Sequence, residues 1–212
     1  MGKGEQTRLA VLAQAADMAA RQGLSTLTIG ELATGTGLSK SGLFAHFQSK
    51  EALQLAVLAY ARDKFTDEVI RPATRVPRGE PRVRALFEHW LEVSRHTNAE
   101  CLFVSASAEF DDRPGPVRDQ LVRDHRDCAD SIIQVFRTGI TEGHFRADAD
   151  AEQFAYDLHG IMLGFFHAHR LLGDPRAPER ARRSVEALLT AARAPRTEPA
   201  AAPMAAAAVP TD

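Results

Sequence analysis

The chain has 212 residues, 44% of them hydrophobic, 25% charged and 7% aromatic, and a formal charge of −2. This composition excludes a wholly disordered chain, and with no long unbroken apolar run no bilayer-spanning helix is expected; the length suits one moderate domain or two small ones. The charge is uneven: Lys3, Arg8, Arg21, Lys40 and Lys50 outnumber Glu5, Asp17 and Glu31 in the first fifty residues, while the remainder is net acidic. A mildly basic head on an acidic body hints at an anionic partner for the head. Met1 to Arg8 has no apolar stretch behind its positive charge, so no secretory signal is expected, and Gln6 stands where N-myristoylation needs Ser or Thr. Cys101 and Cys128 form no C-x-x-C pair and cannot build a disulfide scaffold, so a reducing, cytoplasmic compartment without membrane attachment is the expectation.

Helical spacing dominates, and no alternating run of β-branched residues predicts a sheet. Leu9, Leu12, Ala13, Ala16 and Ala20 mark a first helix with a narrow face of small residues, stopped at Gly23. Thr28-Ile-Gly-Glu31 is a capping box for a second helix, which runs to a turn at Gly35-Thr36-Gly37. Ser39 caps a short third helix with Leu43, Phe44 and Phe47 as its apolar contacts, and Leu32, Leu38 and Leu43 are expected to hold this pair against the first helix. Ser49 caps a fourth, expected from Lys50 to Arg71 and ended by Pro72. After a connector over 72–81, Pro81 opens a helix carrying Val83, Leu86, Phe87, Trp90, Leu91 and Val93, followed by an apolar stretch from Cys101 to Phe110. A long helix over 117–142 stops at Gly143. Asp150, with Gln153 as its capping-box partner, starts a very apolar helix, and a last helix spans 175–193. The alanine- and proline-rich residues 194–212 are expected to be a disordered tail.

Thr28 to Phe47 has the layout of a helix-turn-helix. Ala33 sits where two helices cross closely, Gly37 suits a turn with positive φ, and the third helix is too short to serve mainly as core. Its outward residues Lys40, Ser41, Gly42 and Ala45 form a small, polar, singly basic face that suits a major groove. Leu32-Ala-Thr-Gly-Thr-Gly-Leu-Ser-Lys-Ser-Gly-Leu-Phe-Ala-His-Phe-Gln-Ser-Lys-Glu-Ala-Leu53 resembles the DNA-binding domain of the TetR/AcrR family of bacterial transcriptional regulators, with the densest match from Gly37 to Leu53. The resemblance implies an all-α fold: a helix-turn-helix head over residues 1–50, a larger helical domain for effector binding and dimerisation over 51–193, and the tail. It implies that Thr28 caps the second helix and reaches a phosphate, that Ser39, Lys40, Ser41 and Gly42 lie along a recognition helix, and that His46 and Lys50 meet the DNA backbone. Phe44 departs from the pattern, because the family usually places there a tyrosine whose hydroxyl binds a phosphate.

The same resemblance implies a homodimer on a palindromic operator, most often as a repressor, released by a small-molecule effector and needing no cofactor. Trp90, Phe103, Phe110, Phe136, Met162 and Phe166 are candidate walls of an effector cavity, although aromatics at helical spacing also make ordinary core. Gly160-Ile-Met-Leu-Gly164 opens a groove on one helix face, and with Phe165 it is a candidate dimer surface; packing inside one subunit is the other reading. His167 and His169 point to different faces of a helix, so no metal site is expected. No Gly-x-Ser-x-Gly, His-Glu-x-x-His or phosphate-loop motif supports the alternative of a helical-bundle enzyme. A sequence-nonspecific DNA-binding protein, the other alternative, calls for a more basic head.

Overall fold

The computed structural model of the protein describes residues 2–96 and 101–195. Among them the fold is all-α: α1 (Lys3–Gln22), α2 (Ile29–Thr36), α3 (Lys40–Phe47), α4 (Lys50–Phe65), α5 (Arg71–Thr74), α6 (Glu80–His96), α7 (Cys101–Phe110), α8 (Pro116–Thr141), α9 (Ala151–Phe166) and α10 (Ala177–Ala192). The expected tail lies outside the described residues from 196 onward. Before that point Ala194 is still held, its amide donating to the His144 carbonyl at 3.0 Å. No helix among the described residues is long and apolar enough to cross a membrane.

Two cores organise the chain. The first gathers Val11, Leu12, Ala15, Ala16 and Ala19 of α1, Leu32 and Ala33 of α2, Leu43 and Phe47 of α3, and Leu53, Val57, Leu58 and Ala61 of α4, closed by Leu102, Ala106, Phe110, Val117 and Leu121 of α7 and α8. The α1 face is rotated from the expected one, and Leu9 and Ala13 are exposed. In so alanine-rich a helix two neighbouring stripes share Leu12 and Ala16, and only packing against α4 and α7 decides between them. The second core joins α6, α8, α9 and α10, with Phe136 stacked between Phe145 and Phe154 at 4.4 and 4.1 Å.

Pro72 does not end the fourth helix. A wide turn over Thr66–Ile70 carries the helical path into α5, and this widening makes room for a ring that lacks an N–H and would crowd the carbonyl four residues back. A second wide turn, His167–Leu171, extends α9. Asp150 caps α9 as expected, accepting from the Gln153 amide at 2.9 Å, but the Gln153 side chain turns forward to Asp157 and does not close the box. α6 starts at Glu80, with Pro81 second.

Candidate functional site

The head presents α3 outward. Thr28 accepts from the Glu31 amide at 3.1 Å while the Thr28 amide donates to Glu31 at 3.1 Å, the reciprocal cap that fixes the start of α2. Gly37 ends α2 at φ 70°, a conformation that a side chain resists. Ser39 then accepts from the Gly42 amide at 3.1 Å to start α3. Of the eight α3 residues only Leu43 and Phe47 are buried, one turn apart on one face. Ser39, Lys40, Ser41, Gly42, Ala45 and His46 are all exposed. Two expectations change. Leu38 is 39% exposed and stands outside the core that holds α1, α2 and α3 together. Phe44 is 55% exposed and gives α3 no core contact; it belongs to the outward face.

Small residues set the shape of this face. A Cβ at Gly30 would meet Thr28 Oγ1 at 3.7 Å and Lys40 Nζ at 3.9 Å, so hydroxyl and ammonium lie together over the start of α2. A Cβ at Gly42 would come within 3.1 Å of Ser39 Oγ, the oxygen that caps α3. His46 lies beside Phe47, ring centroids 6.1 Å apart, and Arg8 covers the Phe47 ring at 5.8 Å. Lys50 is exposed but donates to the Ser25 carbonyl at 2.5 Å, leaving its other two N–H groups for a phosphate.

That carbonyl is part of a shared corner between α1 and α2. Glu109 on α7 accepts from the Leu24 and Ser25 amides at 3.1 and 2.7 Å, while Gln54 on α4 donates to the Leu24 carbonyl at 2.8 Å. The head is therefore gripped from two helices of the body at a single place. Only long-range contacts could reveal this, and nothing in the local pattern around Glu109 marks it.

A cavity opens between α4, α6, α7, α8 and α9. Trp90, Phe103, Met162 and Phe166 line it, as expected from the sequence. Phe110 lies instead in the first core, against the Arg113 guanidinium, and Phe136 is enclosed in the three-ring stack; neither reaches the cavity. The sequence reading missed Arg62, Phe65, Asp124, His125 and His159. Asp124 carried a signal, since a carboxylate on the stripe Leu121–Cys128–Ile132 breaks an apolar face. Phe65, Trp90, His159, His125 and Phe103 form a chain of neighbouring rings with centroids 5.6–6.2 Å apart. His125 also bonds to Ser107 Oγ at 2.7 Å. Burial pushes both histidines below their ordinary range, which favours neutral rings. Burial raises the Asp124 carboxyl, against the opposing pull of Gln120 and Arg62.

On α9 the expected dimer surface divides. Gly160 and Gly164 are exposed, and a Cβ at either position would meet no neighbouring side chain or element within 4 Å; Tyr156 and Leu163 on α9 and Leu171 beyond it are exposed too. Phe165 does not join them: it is 3% exposed and stacked on His169 at 5.2 Å inside its own chain. His167 is exposed, so the two histidines have separate surroundings.

Both parts of the chain match known sequences. Residues 11–57 match the family described as "Bacterial regulatory proteins, tetR family", and residues 79–185 match "Tetracyclin repressor-like, C-terminal domain". The HTH-type transcriptional repressor KstR2 of Mycobacterium tuberculosis is 27% identical over 157 residues, covering 71% of this chain and 75% of that protein. A TetR transcriptional regulator from Chloroflexus aurantiacus J-10-FL superposes with a TM-score of 0.78 at 26% identity, over 90% of this chain and 96% of that one. AibR, solved in complex with isovaleryl coenzyme A and operator DNA, superposes at 0.66 with 21% identity, over 84% and 94%. With a helix-turn-helix head, a larger helical body and matches across both, the chain belongs to the TetR family of bacterial transcriptional regulators.

Proposed function

We propose that the protein is a homodimeric repressor whose two heads read the halves of a palindromic operator and whose body cavity takes a small-molecule effector that releases the DNA. The observation that carries this reading is α3: eight residues, two of them buried, offering a narrow polar face that a major groove accommodates. On this reading Ser39, Lys40, Ser41 and Gly42 address the groove, with Thr28 at the start of α2 and Phe44, His46 and Lys50 flanking them. The starts of α2 and α3, capped by Thr28 and by the exposed Ser39, are helix N-termini of the kind that suits phosphate oxygens. Dimerisation is supported by the exposed groove at Gly160 and Gly164, which lets a copy of α9 approach closely. Two heads on such a dimer would address half-sites about 34 Å, or a multiple, apart. AibR, solved with isovaleryl coenzyme A and operator DNA together, supports reading this chain as one that takes both a small molecule and DNA. An effector that binds the two states with a difference of about 1–3 kcal/mol shifts operator affinity roughly 5–150-fold.

The test is binding of the full chain to a duplex from the intergenic DNA upstream of its own gene, in the presence of random competitor. The expected result is specific binding at least about a thousandfold tighter than to random duplex. Lys40→Ala should weaken it and reduce the slope of log affinity against log salt by about one. Equal affinity for both duplexes would overturn the reading.

A further inference from the structure

The polar groups of the cavity define the kind of molecule it takes, and this step rests on reading the cavity as the effector site. The Asp124 side chain is only 2% exposed. Its Oδ1 atom receives both available donors, Gln120 Nε2 at 2.8 Å and Arg62 Nη1 at 3.4 Å. Its Oδ2 atom is buried, and among the described residues nothing donates to it. A buried acceptor left without a donor is unfavourable, and where it lines a cavity a ligand donor can complete it. The surrounding wall of Phe65, Trp90, Phe103, Val104, Met162 and Phe166 is apolar and suits a hydrocarbon body.

Charge narrows the donor. The Arg62 guanidinium already faces this carboxylate, so a ligand cation would be placed beside a fixed positive charge. A ligand anion would meet the carboxylate itself. His125 and His159 on the same wall are disfavoured as cations by their burial and offer an anion no counter-charge, and the Cys128 thiol can carry no positive charge. We propose that the effector is an uncharged, mainly hydrocarbon molecule with a hydroxyl group that donates to Asp124 Oδ2.

Trp90, the single tryptophan of the chain, lies in the cavity wall and reports occupancy by its fluorescence. Menthol, menthyl methyl ether and menthylammonium share one body and differ in the donor. Titrated into the full chain, menthol is expected to bind about tenfold or more tighter than the ether, because a hydrogen bond to a charged group is at stake. In Asp124→Asn the amide nitrogen replaces Oδ2 while the oxygen keeps the Gln120 and Arg62 bonds, so the ratio should fall to near one. Similar affinity of alcohol and ether for the unaltered protein, or an alcohol preference that survives Asp124→Asn, overturns the Asp124 assignment and leaves the cavity reading in place. Tightest binding by the ammonium overturns the uncharged class. If none of the three alters Trp90 emission or the melting temperature, the cavity reading itself fails and the assignment fails with it.

Discussion

At position 44 the ring stands out from α3, 55% exposed, with no hydroxyl to donate. Restoring one with Phe44→Tyr is expected to tighten operator binding by about 1 kcal/mol, roughly fivefold, with no change in salt slope because no charge is added. Fluorescence anisotropy over a salt series measures both. Gly42 is held by two demands. Alanine in a helix interior gains up to about 1 kcal/mol over glycine, but here its methyl would crowd the Ser39 cap at 3.1 Å. The two effects oppose each other, so Gly42→Ala should move thermal stability little while the added methyl on the reading face lowers operator affinity at least about tenfold. Unchanged affinity would assign this glycine to the cap alone. Single residues were legible in the sequence where their role is local: Thr28 and Ser39 accept from amides three positions on, and Gly37 donates to the carbonyl four positions back. Asp124 was only partly so: it breaks an apolar stripe and its partner Gln120 is one turn away, but Arg62 and the neighbouring rings join it only in the folded body.

Between elements, α6 and α10 are tied by an ion network of Glu80, Arg84, Glu186 and Arg193, with Arg193 donating twice to Glu80 at 2.8 and 2.9 Å. The Arg193 hydrogen bonds, more than any other influence, hold the Glu80 carboxyl down at about 2. A carboxyl depressed in the folded state contributes stability above its unfolded value of 4.5, and this contribution is lost as pH falls through about 2. Thermal melts of the unaltered protein and Glu80→Gln should therefore differ at neutral pH and converge between pH 4.5 and 2. Element boundaries followed the sequence closely where a cap or glycine marks them, as at Gly23, Ser39, Ser49 and Asp150. They failed at Pro72, because a proline's effect depends on whether the preceding turn can widen. They failed also for the α1 face, where alanine offers too little contrast between stripes.

For the whole molecule the test lies on α9. A Cβ at Gly164 would have open space around it, so Gly164→Arg should leave the fold intact and even favour the helix, and it tests the proposed dimer. It should yield monomers in sedimentation velocity and abolish tight operator binding. The all-α division into head and body was legible from periodicity and the helix-turn-helix signature, whereas the cavity was only half legible. Trp90 and Phe103 face it and Phe136 does not, and one aromatic at helical spacing looks like another until the helices are placed. The corner at Leu24 and Ser25 is gripped by Glu109 from α7 and by Lys50 and Gln54 from α4, and the same two helices supply Phe103 and Phe65 to the cavity wall. This corner of the head therefore rests on both helices rather than on either alone. On the proposed reading, a guest held between Phe103 and Phe65 would bear on both supports at once, and the head would feel it as tilt.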